Sequence, residues 1–379
     1  MQILIAPNAF KNSLDAAAAA VAIEQGLLES NLACTTRCFP VGDGGDGTGT
    51  LLTQMLQGVF VEETVTDPLG RNRKATMGMI DQGRTAVIEM AAASGLRLLQ
   101  PDERDPLRAS SYGTGQLMQK ALERGVTRMV LCVGGSATVD GGTGILAALG
   151  VRFLDADGQE LSGMPESLVQ LAYIDTSRLD RSIQNTECLI LCDVSNGLLG
   201  DKGAAAIFGP QKGADAEAVQ KLEASLTRFA AVTQETTGID IRNLPHGGAA
   251  GGTAAGLYAF LGARLVNGIE YFLDSTHFDA ALAQSDLVIT GEGSIDLQTL
   301  DGKAPYGVAM RAKKKNKPVI AMAGQVPAEP HPELANCFDV LLSINPQPTD
   351  LATALATTAQ NLKRLSTALA NQEGGPLRL

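Results

Sequence analysis

The chain has 379 residues, 45% of them apolar and 19% charged, a globular composition that excludes wholesale disorder. At roughly 150 residues per domain this length predicts two domains or three. A net charge of −11, with no Lys/Arg stripe interleaved with aromatics, argues against a nucleic-acid or anionic-membrane partner, and no apolar run approaches the ~18 residues of a membrane span.

Met1 to Pro7 read as a strand and lack the basic start of a signal peptide, so the expected location is the cytoplasm and the expected state of the six cysteines is reduced. Cys34/Cys38 and Cys188/Cys192 are spaced four apart without a CxxC pair, which favours buried thiols over a metal site. His246, His277 and His331 are scattered. Glycine is in excess, 42 of 379, with no G-x-y period, and so is expected in tight turns and ligand loops.

In chain order, short apolar runs ending in Gly, Pro or polar turns predict buried parallel strands at Gln2 to Ala6, Arg37 to Val41, Leu287 to Thr290, Val319 to Ala323 and Val340 to Ile344. Helical patterns fall over Leu14 to Leu28, with Ser13 as its N-cap, over Thr48 to Leu56 and over Gly307 to Lys315. The basic run Arg311 to Lys315 reads as a solvated helix face. More than 200 residues separate the second and third strands, far too many for a crossover. They carry their own extended segments near Val59 to Val65, Thr85 to Met90, Met129 to Val133 and Cys188 to Cys192. The expectation is an α/β protein: a flavodoxin-like, doubly wound parallel-sheet domain formed by residues 1–62 and 286–379, with a second α/β domain, 63–285, inserted in it.

Ligands of doubly wound sheets bind beyond the carboxyl ends of the strands, and the chemistry-bearing residues follow strands. Asn8 and Lys11 follow the first, Asp43 and Asp46 the second, Glu292 and Asp296 the third. Gly42-x-Gly44-x-x-Gly47 matches a dinucleotide loop in form. Asp43 and Asp46 would press carboxylates against a pyrophosphate, however, unless a divalent cation lay between them. Gly134, Gly135, Ser136, Thr138, Asp140, Gly141 and Gly142 form a small-residue turn between strand and helix that suits an anion cradle. Asp193, at a strand end with Asn196 close behind, can accept a proton from a hydroxyl or bind metal. Lys212 sits in a Gly/Pro loop and Lys303 follows Asp301-Gly302; both are candidate phosphate or carboxylate contacts. His246 to Gly252 reads either as a loop that lines a ligand or as one that lets two helices pack closely, with packing preferred.

These blocks resemble the bacterial two-domain glycerate kinases: APNAFKNS from Ala6, GDGGDGT from Gly42, TDPLGR from Thr66, IEMAAASGL from Ile88, YGTGQL from Tyr112, GGSATVDGG from Gly134, CDVSNGLLG from Cys192, FGPQKGA from Phe208, VITGEGSIDLQT from Val288 and GKAPYGVA from Gly302. They run in order through nearly the whole chain. The more familiar form reads APDSFKGS, ADGGEGT, GGSATNDGG and GEGRID. Here Asn8, Ala9 and Asn12 replace Asp, Ser and Gly, Gly42 and Asp46 replace Ala and Glu, Val139 replaces Asn, and Ser294 replaces an Arg that offers a bidentate grip on anions.

The resemblance implies ATP-dependent phosphorylation of D-glycerate, with ATP and glycerate as small-molecule partners. The 2-phosphoglycerate product is favoured over 3-phosphoglycerate. The expected mechanism is a Mg²⁺-dependent kinase working in a cleft between the domains. Asp43, Glu292 and Asp296 are assigned to the metal or the substrate hydroxyl, and Asp193 to the general base. Lys11, Lys212 and Lys303 would offset negative charge, Asn8, Ser136, Thr138, Asp140 and Asn196 would contact substrate or phosphate, and Gly134 to Gly142 would cradle nucleotide phosphate. Two alternatives stand beside it: an NAD-dependent oxidoreductase using the Gly42–Gly47 loop, and a catalytically inactive small-molecule-binding relative.

Overall fold

A computed structural model describes residues 1–162, 165–329, 331–345, 347 and 349–372. The chain forms β1 (Gln2–Pro7) and β2 (Thr35–Cys38), then β3 (Val59–Thr66), β4 (Asn72–Ile80), β5 (Thr85–Glu89), β6 (Arg128–Cys132), β7 (Arg152–Leu154), β8 (Tyr173–Asp175), β9 (Glu187–Cys192) and β10 (Arg264–Asn267). It ends with β11 (Leu287–Ser294), β12 (Val319–Gln325) and β13 (Val340–Ser343). Two compact units result, one of Met1–Asp43 with Gly268–Leu379 and the other of Gly44–Asn267.

In the first unit five parallel strands lie in the order β13-β12-β11-β1-β2. Counted within the unit this is 2-1-3-4-5, the flavodoxin-like order, and its switch point falls between β1 and β11. β1, β11 and β12 are near-continuous buried runs because helices cover both faces, whereas the edge strands β2 and β13 are partly exposed. Ile3, Ile5, Leu287, Ile289, Ile320 and Met322 bury together with Ile23 and Leu27 of the helix Ala16–Leu28. β2 begins earlier than the apolar run suggests, yet the pairing continues past it through Phe39 N–H to Ile5 O (2.7 Å) and Val41 N–H to Pro7 O (3.0 Å).

The second unit holds a six-stranded mixed sheet, β10-β9-β6-β5-β4-β3, in which only β3, β4 and β5 pair antiparallel. β7 and β8 form a separate antiparallel pair. The helix Thr48–Met55 and β3 belong to this unit, because β3 pairs with β4 along its whole length. The helices Gly268–Ser275 and Phe278–Ala283 belong to the first. Both boundaries therefore fall about twenty residues before the positions the sequence suggested, 62/63 and 285/286, since strand pairing, not composition, draws the line.

Two local readings change. The first helix is capped by Asp15, whose Oδ1 accepts from Ala18 N–H at 2.7 Å, while Ser13 Oγ donates to Leu355 O. Arg311 is not on a solvated face. Its side chain is only 15% exposed and bridges Glu270, Asp274 and Asp279. Among the described residues no helix is long and apolar enough to cross a membrane.

Candidate active site

At the switch point of the first unit, the loop after β1 places Asn8 so that its Nδ2 donates to Asp43 Oδ2 at 2.8 Å. Both residues are buried. The same Asp43 oxygen accepts Ala304 N–H at 3.4 Å, at the start of the helix Ala304–Lys314, where the helix dipole favours a negative charge. Glu292, on β11, is 7% exposed and accepts from Thr299 Oγ1 at 3.1 Å. Burial pushes its carboxyl up to about 7; Asp43 adds to the rise, and Lys303 and Lys11 oppose it. Lys11, Glu292 and Lys303 line a cavity of about 1000 Å³ that extends over the ends of β12 and β13.

Asp43 and Glu292 suit Mg²⁺, which takes one or two carboxylates, keeps several waters and completes its shell with phosphate oxygens. Among the described residues no group of three His, Cys, Asp or Glu side chains is gathered as a closed ligand set, so a zinc-type site is not what this arrangement offers. Asp296 makes local contacts. Its Oδ1 accepts Gln298 N–H at 2.8 Å and caps the short helix Leu297–Asp301.

In the second unit the turn after β6 is organised from within. Asp140 is 1% exposed. Its Oδ2 accepts Ser111 N–H (2.8 Å) and Ser111 Oγ–H (2.6 Å), and Gly142 and Gly144 N–H groups complete its shell. Asp140, expected at the substrate, thus accepts four hydrogen bonds from within the protein. Gly134 N–H goes to Gly44 O and Gly141 N–H to Gly251 O, so the donors of Gly134, Gly141 and Gly142 do not point at a phosphate. The glycines serve close packing. A Cβ on Gly134 would stand 2.5 Å from Gly45 Cα, and one on Gly256 only 2.0 Å from Gly141 O. The His246–Gly252 loop is the other half of this packing, as the sequence suggested.

Lys212 reaches into the same turn, 3% exposed, donating to Ser136 Oγ at 2.9 Å and Thr138 O at 2.7 Å. Burial lowers its ammonium to about 7, with Asp140 opposing. Thr138 Oγ1 is buried without a hydrogen-bond partner. Lys212 is therefore an internal clamp on the Ser136–Thr138 turn. Asp193 lies half-buried just past β9, in a loop stitched down by His246 and Gly248. Asn196 Nδ2 closes that loop on Lys202 O at 2.8 Å.

Three residues that sequence reasoning passed over matter here: Glu89, Ser111 and Thr299. Glu89 stands in the IEMAAASGL block, Thr299 in VITGEGSIDLQT and Ser111 directly before YGTGQL; Glu89 and Ser111 work through partners distant in sequence, Thr299 through Glu292 in its own block. Glu89 is decisive for the oxidoreductase alternative. The helix Thr48–Met55 has no side-chain cap of its own. Glu89 supplies one, accepting Gly47 N–H at 3.2 Å and Thr50 N–H at 2.6 Å. The anion position of the G-x-G-x-x-G loop is already filled by a carboxylate of the protein. Asp46 pairs with Arg97 at 2.6 Å.

The fold and site define a class: an α/β enzyme whose switch point gathers carboxylates and lysines, suited to moving a phosphoryl group. The glycerate kinase family model matches residues 3–372, and the chain belongs to that family. Curated relatives include the glycerate kinase of Bacillus subtilis (strain 168), 44% identical over 96% of this chain and 95% of that one. The glycerate 2-kinase of Escherichia coli K12 is 45% identical over 86% of each. A crystal structure of a relative from Salmonella typhimurium LT2 superposes with a TM-score of 0.81 at 44% identity, covering 98% of this chain and 97% of that one. The protein is thus a kinase, a phosphotransferase.

Proposed function

We propose that the protein transfers the terminal phosphoryl group of ATP to D-glycerate, giving ADP and 2-phosphoglycerate. The observation that carries this reading is similarity to glycerate kinases running through both units, while the switch point holds the charged groups phosphoryl transfer requires. The name of the Escherichia coli relative, glycerate 2-kinase, supports the 2-hydroxyl as acceptor.

In this reading Asp193 takes the proton of the attacking hydroxyl as the new O–P bond forms and the bond to ADP breaks. Lys11 and Lys303 offset the charge gathered on the phosphates, and Asn8 holds Asp43 in place. Asp43 and Glu292 would hold Mg²⁺, whose chemistry when bound is to neutralise phosphate charge. The six free cysteines support a cytoplasmic setting.

The test is ADP release from Mg-ATP with D-glycerate, L-glycerate or no acceptor, followed by phosphorus NMR of the product. Turnover confined to D-glycerate with a 2-phosphate product is expected; ADP release that ignores D-glycerate would sink the reading. Asp193→Asn should lower kcat about 10²-fold, the scale of a lost proton acceptor, while nucleotide affinity holds. Loss of affinity instead would make Asp193 a binding residue.

A further inference from the structure

We infer that the nucleotide binds wholly on the first unit, in the cavity over β1, β11, β12 and β13, with its phosphates at the switch point and its base over β12 and β13. This rests on the kinase reading and names the site it uses.

Size points to a nucleotide. The cavity measures about 1000 Å³, the upper end of the roughly 300–1000 Å³ that encloses a drug-sized ligand, and a three-carbon acid would leave most of it empty. Its charge distribution points the same way. Lys11, Glu292 and Lys303 stand at the end over β1 and β11, whereas Gln325 and Val326 at the end of β12 and Ser343 and Asn345 at the end of β13 are uncharged. A ligand charged at one end and neutral, flat and amide-like at the other matches that asymmetry. The exposed Gln325 side chain carries both a donor and an acceptor for a base edge.

The competing loop is already occupied by its own contacts. In the Gly134–Gly142 turn the donors of Gly134, Gly141 and Gly142 are committed to Gly44, Gly251 and Asp140, and Lys212 is clamped onto Ser136 and Thr138. A triphosphate could engage those three glycine N–H groups and the Lys212 ammonium only by displacing these hydrogen bonds.

The experiment uses the full chain and two readouts. Wild-type protein is photolabelled with 8-azido-ADP and Mg²⁺, and the labelled peptide is mapped. Mg-ADP affinity is measured by calorimetry for Gln325→Trp, which fills the neutral end from an exposed position, for Lys11→Ala, and for Ser136→Ala in the second unit. Label within residues 324–327 or 351–358 is expected, with about tenfold weaker binding in both first-unit variants, the scale of one lost charge-assisted or stacking contact. Ser136→Ala should stay within about threefold. Label on 134–142, or undiminished affinity in Gln325→Trp, overturns the assignment. If wild type still turns over D-glycerate in that case, the kinase reading survives without it; wild type that binds no Mg-ADP removes both.

Discussion

The two motif-rich regions of this protein look alike on paper and differ in kind. The turn Gly134 to Gly142 is dense in glycine, with a buried aspartate and a buried lysine, and its polar groups are largely paired with one another: Asp140 with Ser111 and two amides, Lys212 with Ser136 and Thr138. The switch-point cluster has fewer glycines and two lysines, and it opens Glu292 and Lys11 onto a large cavity. Glycine density marks where backbones approach, whereas mismatched charge beside empty space marks where a ligand is expected. Buried polar groups are costly unless satisfied; the first region satisfies all but Thr138 Oγ1 of those named here internally, and the second leaves charge to be balanced.

The sharpest way to break this contrast is Asp140→Ala. Four donors would lose their acceptor in a fully buried turn, and the second unit should lose about 3–5 kcal/mol, as for a buried charge stripped of its partners. Urea unfolding of that variant beside Asp43→Asn checks it. Asp43→Asn should unfold close to wild type and lose turnover. If Asp140→Ala unfolds like wild type, the internal role assigned to Asp140 is wrong.

Next in size is Lys11→Ala. The residue is exposed, so stability should hold, while turnover falls about 10²-fold, close to 3 kcal/mol of lost charge stabilisation. Near-normal kcat in the folded variant would place the phosphates elsewhere.

Lys212→Met tests the other side of the comparison. Removing the clamp leaves Ser136 Oγ and Thr138 O without that donor, a cost of about 1–3 kcal/mol. The pH dependence has a definite sign. The folded ammonium titrates near 7 and the unfolded one near its ordinary 10.5, so between those values the unfolded chain binds more protons. Lys212's contribution to stability therefore rises with pH across that window and is lost as pH falls through 7. The difference in unfolding free energy between wild type and Lys212→Met, measured from pH 6 to pH 9, should grow with pH. A flat difference would mean the lysine is not buried as described.

Much of the fold was legible because it rests on local patterns. The runs at Gln2, Leu287 and Val319 are apolar on both faces, as strands buried between helix layers must be, and the long gap after β2 announced an insertion. The unit boundaries were not legible, because the first depends on β3 pairing with β4 and the second on β10 pairing with β9. The N-cap fell to Asp15 two residues beyond Ser13, a choice decided by loop geometry. In the site, Asp43 and Glu292 could be found from strand ends. The burial of Lys212 in a turn more than seventy residues before it could not, nor could the bond between Asp140 and Ser111, twenty-nine residues apart.

Glu89 gives the smallest effect and closes the contrast. Its carboxylate occupies a position in the second unit where a glycine loop and a helix start would otherwise attract an anion. Glu89→Ala should cost about 1 kcal/mol, the usual worth of an N-cap, and leave glycerate turnover within about twofold, since the residue caps a helix and is assigned no substrate. It should also leave the protein unable to bind NADH, because Asp46 and Arg97 remain paired at the same helix start. Saturable NADH binding in Glu89→Ala would show a dinucleotide site masked by one side chain. Its absence, with a modest loss of stability, would show that the G-x-G-x-x-G spacing here is a packing turn whose anion is built in.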